Sequence, residues 1–197
     1  MTTHERMKEL VREYYDSYNK IPPAHFSYIF HIPQNLDEVE GAIEYIGDRK
    51  FHSFVELGSD RGGSLWLYSN FLCADDAEIV SIDCTKNHAL YYIVNKLNTM
   101  GKNAKYIESH SHTIAPTFYK DVDLLHIDAG HHYEGVKTDW DMWYPKVVSG
   151  GVIILHDTTG SGHDGPPRLR AELEAAGFNI KTFSAPAALG ISVVIKE

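Results

Sequence analysis

Hydrophobic and polar positions divide the chain into a helical beginning and a longer alternating region. Apolar residues recur at helical spacing in residues 3–19, and a second helix is expected between an Asn35 N-cap and Gly47. The stretch 21–33 between these helices contains three prolines and several aromatic residues, and it predicts an irregular covering segment. We therefore expect residues 1–50 to form an N-terminal helical cap.

From residue 51 onward, apolar runs of strand length alternate with segments of helical periodicity. The predicted strands are 51–57, 78–83, 104–108, 122–128, 151–156, 178–183 and 191–195, and the predicted helices are 64–73, 87–100, 112–119, 133–144 and 166–177. This alternation indicates an α/β fold with a mostly parallel sheet and helices on both faces. The last two strands have no helix between them, so we expect them to pair antiparallel. One domain over residues 1–197, with its core at 51–197, accounts for the whole pattern.

The composition argues against several classes of partner. The formal net charge is −9 without a basic stripe, so we expect neither nucleic acid nor a membrane as partner. No apolar run approaches the roughly 18 residues of a membrane helix, and the N-terminus does not resemble a signal peptide. Cys73 and Cys84 lack disulfide or metal-site spacing, which favours free thiols and a cytoplasmic location.

The strongest local motif runs from Val55 to Ser64, where a predicted strand passes through a glycine-rich turn into a helix. Glycines let the backbone approach a ligand, and the helix N-terminus offers unpaired N–H groups. The spacing is GxxxG rather than the GxGxxG of dinucleotide sites, and Glu56 at the strand end suits a cation better than a pyrophosphate. Asp83 ends the next strand, about 20 residues further on, where an acid commonly accepts hydrogen bonds from ribose.

Two later strands also end in acids, Asp128 and Asp157. Consecutive strands of such a sheet are usually neighbours, so these carboxylates should lie side by side and would repel without a cation between them. A divalent metal held by Asp128, His156 and Asp157 is one solution, and separate roles for the two acids are the alternative. His131 is a candidate general base for a substrate hydroxyl, and a loop residue without chemistry remains the alternative.

The glycine turn, Asp83 and the stretch 126–157 resemble class I methyltransferases that use S-adenosylmethionine (SAM). The most similar branch comprises small-molecule O-methyltransferases, related to cephalosporin-hydroxylase-like and macrocin O-methyltransferase-like proteins. The resemblance covers roughly residues 51–195. It implies a Rossmann-like, seven-stranded sheet with an antiparallel last strand, SAM as cofactor and a small-molecule acceptor.

The resemblance also implies positions for the cofactor. It places the methionine end of SAM beside Glu56, Gly58 and Gly62, the ribose at Asp83, and the adenine near Ser109 and His110. Asp128 would lie close to the sulfonium and the substrate. The full set of expected cofactor-binding residues is Glu56, Gly58, Ser59, Asp60, Gly62, Ser64, Asp83, Cys84, Ser109, His110 and Asp128.

Metal-dependent relatives hold Mg²⁺ with an acid after one strand and an acidic pair after a later one. His156 stands where the first member of that pair would be, which leaves Mg²⁺, another divalent metal or no metal open. The predicted mechanism has SAM lying along the strand ends beneath the covering segment and the loop 158–165. The acceptor hydroxyl, activated by His131, attacks the methyl group.

Three other functions remain open at this point. A non-catalytic SAM-binding or interaction protein would retain the Gly58–Asp83 region without a working acceptor site. A nicotinamide-dependent oxidoreductase is disfavoured by the absent GxGxxG motif, and a metal-dependent hydrolase would need the metal but not SAM. The aromatic N-terminal helix could supply the face of a homo-oligomer.

Overall fold

The computed structural model describes residues 2–18, 34–160, 162 and 164–197. The predicted covering segment 21–33 lies outside the described residues. The helices are α1 Thr3–Tyr18, α2 Leu36–Ile46, α3 Gly63–Phe71, α4 His88–Thr99, α5 Ser111–Ile114, α6 Tyr133–Trp143 and α7 Gly165–Ala175. The strands are β1 Phe51–Leu57, β2 Cys73–Asp83, β3 Asn103–Glu108, β4 Val122–Ile127, β5 Val147–His156, β6 Ile180–Phe183 and β7 Ile191–Ile195.

The seven strands form one sheet in the order β3-β2-β1-β4-β5-β7-β6. The β1–β2, β2–β3, β1–β4 and β4–β5 pairs are parallel, whereas β7 is antiparallel to both β5 and β6. The predicted α/β fold, with a mostly parallel sheet and an antiparallel last strand, is confirmed. The strand order reverses between β1 and β4, and the carboxyl edge beside such a reversal is where open α/β sheets bind ligands.

Helices cover both faces of the sheet because its strands are apolar on both sides. Alternating side chains send Phe54 and Leu124 to one face and Val55 and Leu125 to the other. Helices α1 to α4 pack on the first face, and α6 and α7 pack on the second. None of the described helices combines the length and the hydrophobicity that a membrane span requires.

Two strands, β2 and β5, begin several residues before the positions that the pattern predicts. β2 starts at Cys73, which pairs with Phe51 before the register shifts, and β5 starts at Val147, which pairs with Val122 before a similar shift. The residues that follow each of these pairs are largely polar or glycine, so the strands show no continuous apolar pattern there. Helix α3 is correspondingly shorter than predicted and ends at Phe71.

A buried acid ties the N-terminal helices to the end of the chain. Glu38 of α2 is 1% exposed, and its two carboxylate oxygens accept hydrogen bonds from the backbone N–H groups of Ala185 (2.9 Å) and Gly190 (3.3 Å). Both donors lie in the connection between β6 and β7, residues 184–190. The position of this connection therefore depends on α2.

Candidate active site

A cavity of about 980 Å³ opens at the carboxyl ends of β1, β2, β4 and β5. Most of the residues predicted to bind the cofactor or to act chemically line it: Gly58, Ser59, Asp60, Ser64, Asp83, Cys84, Ser109, His110, Asp128, His131, His156 and Asp157. A cavity of this size can enclose a complete drug-sized ligand. The fold therefore brings the separate sequence motifs to one place.

The turn after β1 approaches β4 so closely that only glycine fits. Gly58 has a φ of 79°, and a Cβ there would lie 2.1 Å from the carbonyl oxygen of Asp128 and 2.6 Å from the Cα of Ala129. Gly62 also has a positive φ, but it packs against Leu90 and Ile93 of α4 and is not among the residues lining the cavity. Gly58 thus serves the cavity, and Gly62 serves helix packing.

Asp83 holds the glycine turn through backbone N–H groups. Its Oδ2 accepts from Ser59 N (3.0 Å) and Asp60 N (2.9 Å), and its Oδ1 accepts from Thr85 N (2.7 Å). A carboxylate that gathers several backbone donors is held in one orientation. Asp60 has a φ of 42°, and burial raises the pKa of its own carboxyl despite the nearby Arg61.

At the other end of the cavity, two carboxylates and two histidines form a compact cluster. His156 Nδ1 lies 3.2 Å from Asp128 Oδ1 and 2.8 Å from Asp157 Oδ1, and His131 Nε2 lies 3.1 Å from Asp157 Oδ2. The carboxylates raise the pKa of His131 to about 9 and that of His156 to about 10, although burial opposes both shifts. Burial raises the carboxyl pKa values, but the histidines outweigh it, lowering that of Asp128 strongly and that of Asp157 to about 2.

The cluster has the chemistry of a divalent-metal site. One donor atom from each of Asp128, His131 and Asp157 lies within 4.8 Å of the others. Two carboxylates and an imidazole suit Mn²⁺, Fe²⁺ or Zn²⁺ as well as Mg²⁺. His131 completes this group of donor atoms, and His156, the predicted ligand, contacts the same two acids.

Glu56 lies apart from the cavity. It is fully buried, its Oε1 lies 2.9 Å from His126 Nδ1, and it is not among the lining residues. His126 in turn contacts Gln34, which accepts a hydrogen bond from the Tyr68 hydroxyl. Burial, reinforced by the Glu56 carboxylate, raises the pKa of Tyr68. The structure thus places Glu56 in a buried network that connects β1, β4 and α3.

Several lining residues were not identified from the sequence. Helix α6 presents Glu134, Thr138 and Asp139 to the cavity, and Leu189 reaches it from the β6–β7 connection. Asp139 is 3% exposed and accepts a hydrogen bond from the Ser111 hydroxyl, and burial raises its pKa. Its sequence signal was an acid on the apolar face of an amphipathic helix, where a charge is unexpected.

Comparison with known proteins identifies the family. A family model described as a methyltransferase domain matches residues 55–158, which include the glycine turn, Asp83 and the strand-end cluster. The chain belongs to this methyltransferase family. The predicted membership in the class I methyltransferases is therefore confirmed. The assignment to the O-methyltransferase branch stays a prediction.

Two curated relatives are similar over part of the chain. An uncharacterized protein of Sinorhizobium fredii, y4gI, is 32% identical over 124 residues, which are 55% of this chain and 13% of that protein. An uncharacterized protein of Acanthamoeba polyphaga mimivirus, R132, is 28% identical over 139 residues, which are 65% of this chain and 58% of that protein. The matched region therefore spans much less than the full length of either relative.

Solved structures share the fold. The SAH-bound methyltransferase PaMTH1 of Podospora anserina aligns with a TM-score of 0.66 at 16% identity, over 100% of this chain and 89% of that one. A methyltransferase of Geobacter sulfurreducens aligns with a TM-score of 0.64 at 13% identity, over 100% and 90%. Aeropyrum pernix fibrillarin with natively bound SAM aligns with a TM-score of 0.57 at 13% identity, over 75% and 67%. At these identities the likeness concerns the fold.

Proposed function

We propose that this methyltransferase binds SAM in the cavity and transfers its methyl group to a hydroxyl of a small molecule. The observation that carries the proposal is that one cavity joins the glycine turn and Asp83 to the cluster of Asp128, His131 and Asp157. The first part suits a nucleoside and the second suits a cation beside a reacting hydroxyl. The SAM and SAH bound to structures of the same fold support the choice of cofactor.

SAM would lie along the carboxyl edge of the sheet with its ribose at Asp83. Asp83 accepts two backbone N–H groups at Oδ2 and one at Oδ1, so Oδ1 has further capacity to accept a ribose hydroxyl. The sulfonium would then lie toward Asp128, whose negative charge is maintained by the histidines beside it. Fixing both reactants in one cavity supplies much of the rate acceleration in such transfers.

The geometry refines the proposed role of His131. Between Asp128 and Asp157 its imidazole holds a proton at neutral pH, because the two carboxylates raise its pKa to about 9. A protonated imidazole donates and cannot accept the hydroxyl proton. We therefore propose that His131 becomes a base only when a cation compensates the carboxylates, and the sulfonium of SAM is one such cation.

SAM, when bound, would supply the methyl group: the acceptor oxygen would bond to the methyl carbon as the carbon–sulfur bond breaks. His131 would take the hydroxyl proton, and S-adenosylhomocysteine (SAH) would leave with its sulfur neutral. Asp128, His131 and Asp157 are the residues that would hold a divalent metal. Such a metal would polarise the acceptor hydroxyl and lower its pKa.

Calorimetric titration tests the proposal. SAM is titrated into chelator-treated protein, with NAD as the control ligand, and again after Mg²⁺ or Mn²⁺ is added. We expect heat with SAM and none with NAD, and SAH formation when hydroxylated small molecules are supplied. A folded protein that gives no SAM heat at two temperatures would rule out the cofactor assignment and leave the metal-dependent or scaffold functions.

A further inference from the structure

The glycine turn after β1 has a backbone conformation that needs support. Between Gly58 and Gly62, which have φ values of 79° and 84°, Asp60 also adopts a positive φ of 42°. A residue with a Cβ is strained in this left-handed region, and such a conformation persists only where surrounding groups hold it. Ser59, Asp60 and Arg61 all line the cavity, so the groups that hold the turn also shape the proposed cofactor site.

Two different elements hold this turn. Asp83 at the end of β2 accepts hydrogen bonds from the backbone N–H groups of Ser59 and Asp60. From the N-terminal helix α1, the Tyr14 hydroxyl donates to the backbone carbonyl oxygen of Arg61 (3.2 Å). The carboxylate therefore holds the N–H groups of the turn, and the phenol holds the carbonyl group that follows them. Tyr14 is not among the described residues that line the cavity, so it can affect a ligand only through the turn.

The buried face of α1 fixes the position of Tyr14. Met7, Leu10 and Tyr14 recur at helical spacing, and each is at most 1% exposed. The Trp66 indole Nε1–H donates to the carbonyl oxygen of Leu10 (2.9 Å), which ties α1 to α3. Because α3 begins at Gly63, directly after the turn, α1 contacts both the turn and the helix that follows it.

We propose that Tyr14 is a positioning residue of the cofactor site, and that docking of α1 and binding of SAM stabilise each other. This inference rests on the proposed SAM site. A ligand that binds the supported form of the turn shifts the protein toward the form in which Tyr14 bonds to Arg61. By linkage, docked α1 raises the affinity for the ligand by the same factor by which the ligand stabilises the docked helix. Helix α1 thus contributes to cofactor binding without touching the cofactor.

The first test removes the Tyr14 hydroxyl and keeps its ring. In Tyr14→Phe the Arg61 carbonyl loses this donor, and SAH should bind about three- to tenfold more weakly, the range for one hydrogen bond. Tyr68→Phe is the matched control, because it removes a hydroxyl from an equally buried tyrosine whose partner is Gln34 rather than the turn.

Calorimetry with SAH and urea unfolding provide the two readouts for both variants. Tyr14→Phe and Tyr68→Phe should lose similar stability, whereas only Tyr14→Phe should lose SAH affinity. A purely structural role of the Tyr14 hydroxyl would weaken SAH binding equally in the two variants. That result, or a wild-type SAH affinity in Tyr14→Phe, would overturn the inference.

Hydrogen exchange of the full chain tests the reciprocal effect. Saturating SAH should slow exchange of the α1 amides, residues 3–18, by about three- to tenfold in the wild-type protein and in Tyr68→Phe. In Tyr14→Phe the slowing should fall to within about twofold, because the bond that transmits the effect is absent. Equal slowing in all three proteins would contradict the role of the hydroxyl.

The wild-type protein alone also decides the matter if Tyr14→Phe fails to fold. Wild-type protein that binds SAH without any change in the exchange of α1 would contradict the coupling while leaving the SAM site intact. Wild-type protein that binds no SAH would refute the proposed function itself. The two failures are therefore distinguishable.

Discussion

The two ends of the cavity hold their carboxylates in different ways. Asp83 at the glycine-turn end is held by three backbone N–H groups, which cannot titrate or move away. Asp128 and Asp157 at the other end are balanced by His131 and His156, which can lose protons. Asp83 is therefore fixed in position and charge, whereas the pair Asp128 and Asp157 can exchange a histidine proton for another cation.

A substitution of Gly58 should perturb the glycine-turn end of the cavity more than any other change considered for it. Gly58→Ala should destabilise the protein by about 3 kcal/mol, because the added Cβ would meet the backbone of Asp128 and Ala129 at a positive φ. Gly150→Ala is the matched control, since Gly150 also has a positive φ but nothing within 4 Å of an added Cβ. It should cost about 1 kcal/mol. Urea unfolding measures both, and equal losses would show that the close approach is unimportant.

Removing the His131 side chain tests whether the end of the cavity that holds Asp128 and Asp157 takes part in the reaction. His131→Ala should lower turnover by about 100-fold, the usual scale of a general base, while SAM affinity changes little. His132→Ala is the control, because His132 is 95% exposed and does not line the cavity. Steady-state kinetics and calorimetry provide the two readouts. Unchanged turnover in His131→Ala would remove this residue from the mechanism.

Metal binding at the end that holds Asp128 and Asp157 should depend on pH. The raised pKa values of His131 and His156 mean that both are largely protonated at pH 7, so a metal that uses His131 must displace its proton. The apparent Mn²⁺ affinity of chelator-treated protein should therefore rise about tenfold per pH unit for each displaced proton between pH 6 and 8.

The titration is made in a His4→Ala background, because His4, Asp37 and Glu40 form a separate group of metal-binding atoms between α1 and α2. Asp157→Asn should then abolish the binding. An affinity independent of pH, or unaffected by Asp157→Asn, would place the metal elsewhere.

Substitution of Asp83 should have a smaller effect, a modest loss of SAM affinity. Asp83→Asn places an amide N–H₂ against one or two of the backbone donors that the carboxylate now accepts, and we expect SAM to bind about five- to tenfold more weakly. Asp76→Asn, on the exposed start of the same strand, is the control. A normal SAM affinity in Asp83→Asn would refute the ribose assignment.

The sequence pattern predicted the fold correctly but placed the ends of some strands and helices wrongly. The bounds of β1 and β7 match because apolar runs define them, whereas the start of β2 was missed because Asp75 and Asp76 interrupt its pattern. Pairing across a register shift depends on the neighbouring strand, which local periodicity does not describe.

The strand-end residues of the site were predictable for a related reason. Asp83 ends its strand, and Asp128 and Asp157 directly follow theirs, so topology alone gathers the three acids. Asp139 and Leu189 reach the cavity only through the angle of α6 and the course of the β6–β7 connection, which are tertiary properties. Glu56 shows the converse, because its strand-end position suggested a ligand contact but its side chain points into the core toward His126.

The bond between Glu38 and the β6–β7 connection has a consequence for inheritance. The acid and the amides that it caps are encoded far apart, and Leu189, which lines the cavity, lies beside one of those amides. A genetic crossover between two homologues anywhere from residue 47 to residue 183 would separate them. In chimaeras with such junctions, Leu189 would keep its position in the cavity wall only when both parents have the Glu38 contact to the β6–β7 connection. The two ends of the chain are therefore expected to evolve as one unit.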